Sequence, residues 1–136
     1  MRARGHLQLL VLGVAIWAAF WVAGLPDYYQ QYSQTFLIVG TALLVPPTAL
    51  AGWVGLERSK PERRRALGFW FAFYGTAPFL ALDALYCGVH LGHGAAFFGK
   101  FWYLTVFYVL PWVLYVPMGL VLGKRDLSGR EPSPKA

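Results

Sequence analysis

Apolar residues fall into four long runs, 7–25, 34–56, 66–92 and 101–123, separated by three short polar stretches. Each run holds the roughly 20 residues that a helix needs to cross the hydrocarbon of a bilayer. The pattern predicts an all-α integral membrane protein with four transmembrane helices. Connections this short return each helix beside the last, which makes an antiparallel bundle. Residues 1–127 form the transmembrane domain, and 128–136, short, polar and proline-bearing, a disordered cytoplasmic tail. The runs leave no room for a separate soluble domain.

Composition agrees with that reading. Hydrophobic residues make up 57% of the 136 and charged ones only 13%, against roughly 25% charged in a soluble domain. Of the twelve Lys and Arg residues, eleven lie on one side of the predicted helices: Arg2 and Arg4, the 58–65 segment, and Lys124 onward. Lys100 alone lies on the other. Basic residues stay on the cytoplasmic side, so both termini are expected in the cytoplasm and the chain in the cell (inner) membrane. Topology then explains the net charge of +6, and with no recognition motif beside it no nucleic-acid partner is implied. The first run is longer than the apolar core of a signal peptide, about 7–15 residues, and carries Trp17, Phe20 and Trp21. It reads as a retained helix. Its Ala15, Ala19 and Ala23 form a small-residue stripe suited to close packing. Thr48, Gly52 and Gly55 offer a second such stripe, and a bundle this small is expected to form a homodimer or join a larger membrane complex.

Between the second and third runs, Ser59 and Glu62 match a capping box that would open the third helix, with Pro61 in its first turn. Arg63, Arg64 and Arg65 follow at headgroup level, where topology accounts for them and anionic lipid is a further use.

Asp83 is the one acidic residue inside the apolar runs. A charge near the centre of a membrane helix opposes insertion by about 2.5–3.5 kcal/mol on translocon scales, so it points to function first and to interhelix glue second. Pro46 and Pro47, Pro78 and Pro111 fall near the middle of three runs. Each removes a helical N–H and frees a carbonyl, and interrupted helices at one depth are how transporters build a site. These prolines are therefore expected to break their helices and line a cavity. At 100° per residue Thr76, Asp83, Cys87 and His90 share one face of the third helix, with Tyr86 at its edge. Tyr108 and Tyr115 from the fourth helix and Thr48 from the second complete a candidate proton or ligand site. His90 and His93 make an HxxH pair, weak as a metal site because it lacks further ligands. No cofactor, catalytic residue or nucleophile motif is indicated, and the lone Cys87 permits no disulfide within the chain.

In outline the chain resembles the small multidrug-type transporters, through its size, four helices and single membrane carboxylate. Their key acid lies in the first helix, whereas the first run here has none. The expectation is a proton-linked transporter, or a binder of a small apolar or cationic ligand, working through Asp83. A non-catalytic accessory or assembly subunit is the alternative. An intramembrane acid–base enzyme acting on lipid or isoprenoid, with Asp83 and His90, comes third.

The charge asymmetry makes a direct prediction. Reporters fused after Lys135 will read cytoplasmic, and reporters within 30–33 or at Gly94 will read external. Loss of about the first 24 residues, the length of a signal segment, from the intact mass of the purified chain would refute the four-helix model.

Overall fold

The chain before Pro26 illustrates how local chemistry sets the helix ends. A residue that precedes proline is pushed out of the α region, and Leu25 is extended at φ −65° and ψ 149°, ending α1 (Ala3–Gly24). At the next start, Ser33 is extended and its hydroxyl accepts the Phe36 N–H at 3.2 Å, capping α2 (Gln34–Glu57). The computed structural model describes residues 1–129, so most of the expected tail, 130–136, lies outside the described residues.

Helix α3 (Pro61–Asp83) has Pro61 at its first position and Glu62 in its first turn, where a missing N–H and a negative charge are both favourable. The expected capping box does not form. Lys60 is the residue before the helix, and no side chain caps it. Ser59 still belongs to the end of α2: its N–H bonds to Leu56 O and its hydroxyl donates back to Gly55 O at 2.8 Å. Pro61 fixes the start of α3 one residue too late for Ser59 to serve it.

At Asp83 the α-helical ladder gives way to a π-helical segment, Ala84–His90, in which bonds skip one more residue; Leu91 N–H, for example, reaches Tyr86 O. Gly92, at φ 74°, then ends the helix in the left-handed conformation that glycine adopts freely. A 3₁₀ turn (Gly94–Ala96) and the short α4 (Phe97–Lys100) lead into α5 (Trp102–Ser128). The last helix outruns the apolar pattern because Lys124 and Arg125 suit a helix C-terminus.

All described regular structure is thus helical, and four segments are long and apolar enough to cross a membrane: Ala3–Gly24, Gln34–Glu57, Pro61–His90 and Trp102–Arg125. The helices run through their prolines rather than breaking at them. Pro46 and Pro47 are exposed, and Pro78 is buried against Gly13 of α1. Pro78 frees the carbonyl of Tyr74 one turn back. The bare Gly13 sits on that carbonyl, so closely that a Cβ there would lie 2.9 Å from it.

The tightest packing joins α3 to α5. A Cβ added at Gly68 would lie 2.5 Å from Tyr115 O and 3.1 Å from Gly119 Cα, and one at Gly119 would lie 2.7 Å from Arg64 O. Backbone therefore meets backbone at this crossing. Helix α2 docks on α5 through Gly52, which sits against the ring of Tyr115, and on α3 through Gly55 and Phe71. Helix α1 packs on α3. The Ala15/Ala19/Ala23 stripe is exposed rather than packed, and its Ala23 lines the cavity described below.

Replacing either crossing glycine should be costly. Gly68→Ala and Gly119→Ala are expected to destabilise by about 1–3 kcal/mol, the usual cost of overpacking. Gly99→Ala, whose Cβ meets nothing within 4 Å, should stay within about 0.5 kcal/mol. Unfolding in detergent by denaturant checks all three.

Candidate functional site

Asp83 ends α3 with its side chain 1% exposed. A carboxylate removed from water must replace its lost hydration with hydrogen bonds, and three donors from three parts of the chain do so. Trp17 of α1 donates its indole Nε1–H to Oδ1 at 2.7 Å, and the Tyr28 hydroxyl donates to the same oxygen. The Tyr108 hydroxyl of α5 donates to Oδ2 at 2.6 Å. An ionised carboxylate has about four acceptor positions, so most are filled. All three donors are neutral, and among the described residues no basic side chain contacts Asp83.

Tyr28 reaches the carboxyl because the 25–33 loop folds back into the bundle. Tyr28 and Tyr29 both adopt left-handed backbone, at φ 56° and 70°, which costs about 1–3 kcal/mol for each non-glycine residue. Several contacts hold them there. Tyr29 N–H donates to Gly24 O at 3.0 Å, and the Tyr103 hydroxyl donates to Tyr28 O at 2.6 Å. The Tyr28 ring, 2% exposed, packs edge-on against Phe101 at 5.5 Å between ring centres. Burial first, and then the hydrogen bond to Asp83, push the Tyr28 phenol well above its ordinary range. Burial also raises Tyr29, to about 12, with smaller effects from Tyr32 and Asp83.

This cluster forms part of the wall of a cavity of about 500 Å³. Its other walls are apolar, including Leu37 and Leu44 of α2, Phe79 of α3, and Leu104 and Phe107 of α5. Thr48 and Tyr115 also line it, joined by a 3.1 Å bond from the Tyr115 hydroxyl to Thr48 O.

Four of the seven residues expected from the sequence therefore share this cavity: Asp83, Tyr108, Tyr115 and Thr48. Thr76 stands behind its wall, donating to Tyr108 O at 3.0 Å. The predicted face of α3 continues past Asp83 as far as Cys87 but not to His90, because the wider π-helical turn changes the angle between successive residues. Cys87 is buried while His90 is exposed. Tyr86 lies outside the cavity lining, with its ring stacked on His90 at 5.5 Å. His93 approaches Lys100 and the Phe101 ring. Among the described residues, no group of three or more His, Cys, Asp and Glu gathers as a metal site. Of the prolines expected to line the cavity only Pro111 does so; Pro46, Pro47 and Pro78 do not. Asp83 itself is off-centre, about 11 Å beyond the midpoint of the Pro61–His90 span at 1.5 Å per residue.

Sequence reasoning missed Trp17 and Tyr28 as partners of Asp83. Trp17 lies one helical turn beyond Gly13, the point of closest approach to α3, which was its one available signal. Tyr28 gave none, since neither Gly nor Asn marks the left-handed turn. The chain matches no family model, no curated protein and no solved structure.

Two outcomes follow for the network. Tyr28→Phe and Tyr108→Phe should each destabilise by about 1 kcal/mol, the scale of polar contacts between membrane helices. The second outcome is a pH dependence. The folded state holds the phenols of Tyr28 and Tyr29 above the ordinary 10.0, so it binds protons more tightly there than the unfolded chain. Their contribution to stability is complete below pH 10.0 and is lost as pH rises from there through the folded value, about 12 for Tyr29. Unfolding measured across that range should show the decline, and Tyr29→Phe should make it shallower.

Proposed function

We propose that this protein is a multi-pass membrane protein that binds a small apolar molecule bearing a positive charge in its cavity, and exchanges it for a proton at Asp83. The observation that carries the reading is a buried carboxyl facing an apolar cavity with no cationic side chain against it among the described residues. Three neutral donors orient the carboxylate but cannot neutralise its charge. A proton or a ligand cation does so, and the two compete for the same oxygens, which is the simplest way to couple their movements. The surrounding rings of Trp17, Tyr28, Tyr108, Phe79 and Phe107 add the π-faces that favour organic cations.

An antiparallel bundle in the cell membrane, with both termini cytoplasmic, is part of this proposal. The order of contacts supports it. His6 meets Tyr74, Trp17 meets Asp83 and Trp21 meets Tyr86, so α1 and α3 rise together. Gly68 meets Gly119, Gly75 meets Pro111 and Thr76 meets Tyr108, so α3 and α5 run oppositely. The opening between α1 and α2 supports entry from the lipid side. Among the described residues α1 and α2 both line the cavity without packing on one another. Lining residues such as Phe36 and Leu43 are 54% and 68% exposed. Ala15 and Ala19, exposed on α1 and outside the cavity lining, support association with a second copy or a larger membrane complex, the setting in which an accessory role would operate.

The test is transport in reconstituted vesicles, with a fluorescent lipophilic amine driven by a pH gradient. Asp83→Asn should abolish proton-linked flux while the fold survives. Gly40→Phe should block amine binding: Gly40 lines the cavity and its added Cβ meets nothing within 4 Å. Unchanged flux in Asp83→Asn sinks the reading. Purification in mild detergent with stoichiometric larger partners, and no flux from the chain alone, would favour the accessory role.

A further inference from the structure

At the other end of α3, nineteen residues and about 28 Å along the helix from Asp83, a second concave site brings together arginines far apart in sequence. Helix α2 ends there, and the last carbonyls of a helix have no partner within it. Arg64, in the first turns of α3, supplies one. Its Nε donates to Leu56 O at 3.0 Å and to Ser59 O at 3.2 Å, its Nη2 to Glu57 O at 3.0 Å, and its Nη1 to Leu122 O of α5 at 3.4 Å. The guanidinium is thereby fixed where three helices meet. Arg58, just past α2, and Arg125, in the last turn of α5, stand with it around a cleft of about 880 Å³. Glu57, Val54 and Leu122 complete the lining.

Arg58 and Arg125 bring two cations to a lining that holds one carboxylate, Glu57. Arg63 and Arg65, adjacent to Arg64 in sequence, are exposed and do not line the cleft. Positive-inside topology requires basic residues near this end of the helices, but it does not require residues 58, 64 and 125 to converge on one concavity. Guanidinium groups bind phosphate oxygens in pairs of parallel hydrogen bonds. The remaining lining is apolar, and Val54 and Leu122 both belong to membrane-spanning segments. A ligand here meets cations at its head and hydrocarbon beneath.

From this geometry we propose that the cleft beside Arg64, with Arg58 and Arg125 as its cationic ligands, is a binding site for the phosphate headgroup of an anionic phospholipid. It is separate from the Asp83 cavity and does not depend on what that cavity carries. Glu57 limits the site to ligands with enough negative charge to outweigh it, so a zwitterionic headgroup, whose ammonium offsets its phosphate, gains little there.

The experiment uses the full chain in vesicles of equal parts phosphatidylglycerol and phosphatidylcholine, followed by gentle extraction and native mass spectrometry of the retained lipid. The native chain should retain phosphatidylglycerol in preference. Arg58→Ala/Arg125→Ala should lower that preference about 30-fold, the effect of removing two cations from the surroundings of an anionic lipid. Arg64 is left in place because it holds the helix ends. Arg58→Gln/Arg125→Gln, which preserves more of the side-chain packing, should behave alike and guards against misfolding of the alanine pair. Arg63→Ala/Arg65→Ala makes the same change in net charge at the same end of the bundle and should leave most of the preference intact. An equal loss in both pairs would overturn the site in favour of diffuse charge attraction. Absence of any preference in the native chain would overturn it as well. Displacement of the lipid by added inorganic phosphate would identify a free-anion site and overturn the lipid assignment.

Discussion

The need to solvate one buried carboxyl organises one half of this molecule. Asp83 is buried, and its acceptors are met by Trp17 from α1, Tyr28 from the first loop and Tyr108 from α5. Those three bonds tie together the elements that surround one end of α3. They also explain why a surface loop with two strained tyrosines stays folded inward: leaving Tyr28 outside would remove a donor from a group that is expensive to leave unsatisfied. The Tyr103 bond to Tyr28 O extends the same network to the start of α5.

In the opposite half, close backbone approach carries the packing of α3 on α5. Gly68 and Gly119 allow α3 and α5 to meet without side chains between them, and Gly52 receives the ring of Tyr115. Arg64 then seals the end of α2 with its guanidinium. The apolar cavity lies between these two systems, bounded by the carboxyl cluster on one side and by Tyr115 and Thr48 on the other.

The gross fold was legible because a helix that crosses a bilayer must be long and apolar, and four runs satisfied that condition. Pro61 at the start of α3 was legible too, since its missing N–H is harmless only there. Finer features were not. Ser59 looked like a cap, but its hydroxyl had an equally good acceptor in the helix behind it. Prolines that promised breaks sit inside continuous helices, because the cost of a missing bond can be met by local adjustment of the backbone. The candidate site was readable as far as Asp83, Tyr108, Tyr115 and Thr48, whose types and depths suggested one another. It was unreadable beyond the switch to π-helical geometry, where a 100° wheel no longer applies, and at Tyr28, whose backbone conformation no residue type announced.

The partition of polarity among the spans has a consequence for how the chain is made. The first span is the most apolar, with mean hydropathy 2.0, and the third the least, at 1.2. Helix α1 packs on α3, which leaves the ribosome some forty residues later. The early helix must therefore be able to wait alone in lipid, and its composition permits that. By the time Asp83 emerges, Trp17 and Tyr28 have already been synthesised, and only Tyr108 is still to come. The order of the donors along the chain thus places two of the three, Trp17 and Tyr28, ahead of the carboxyl they serve.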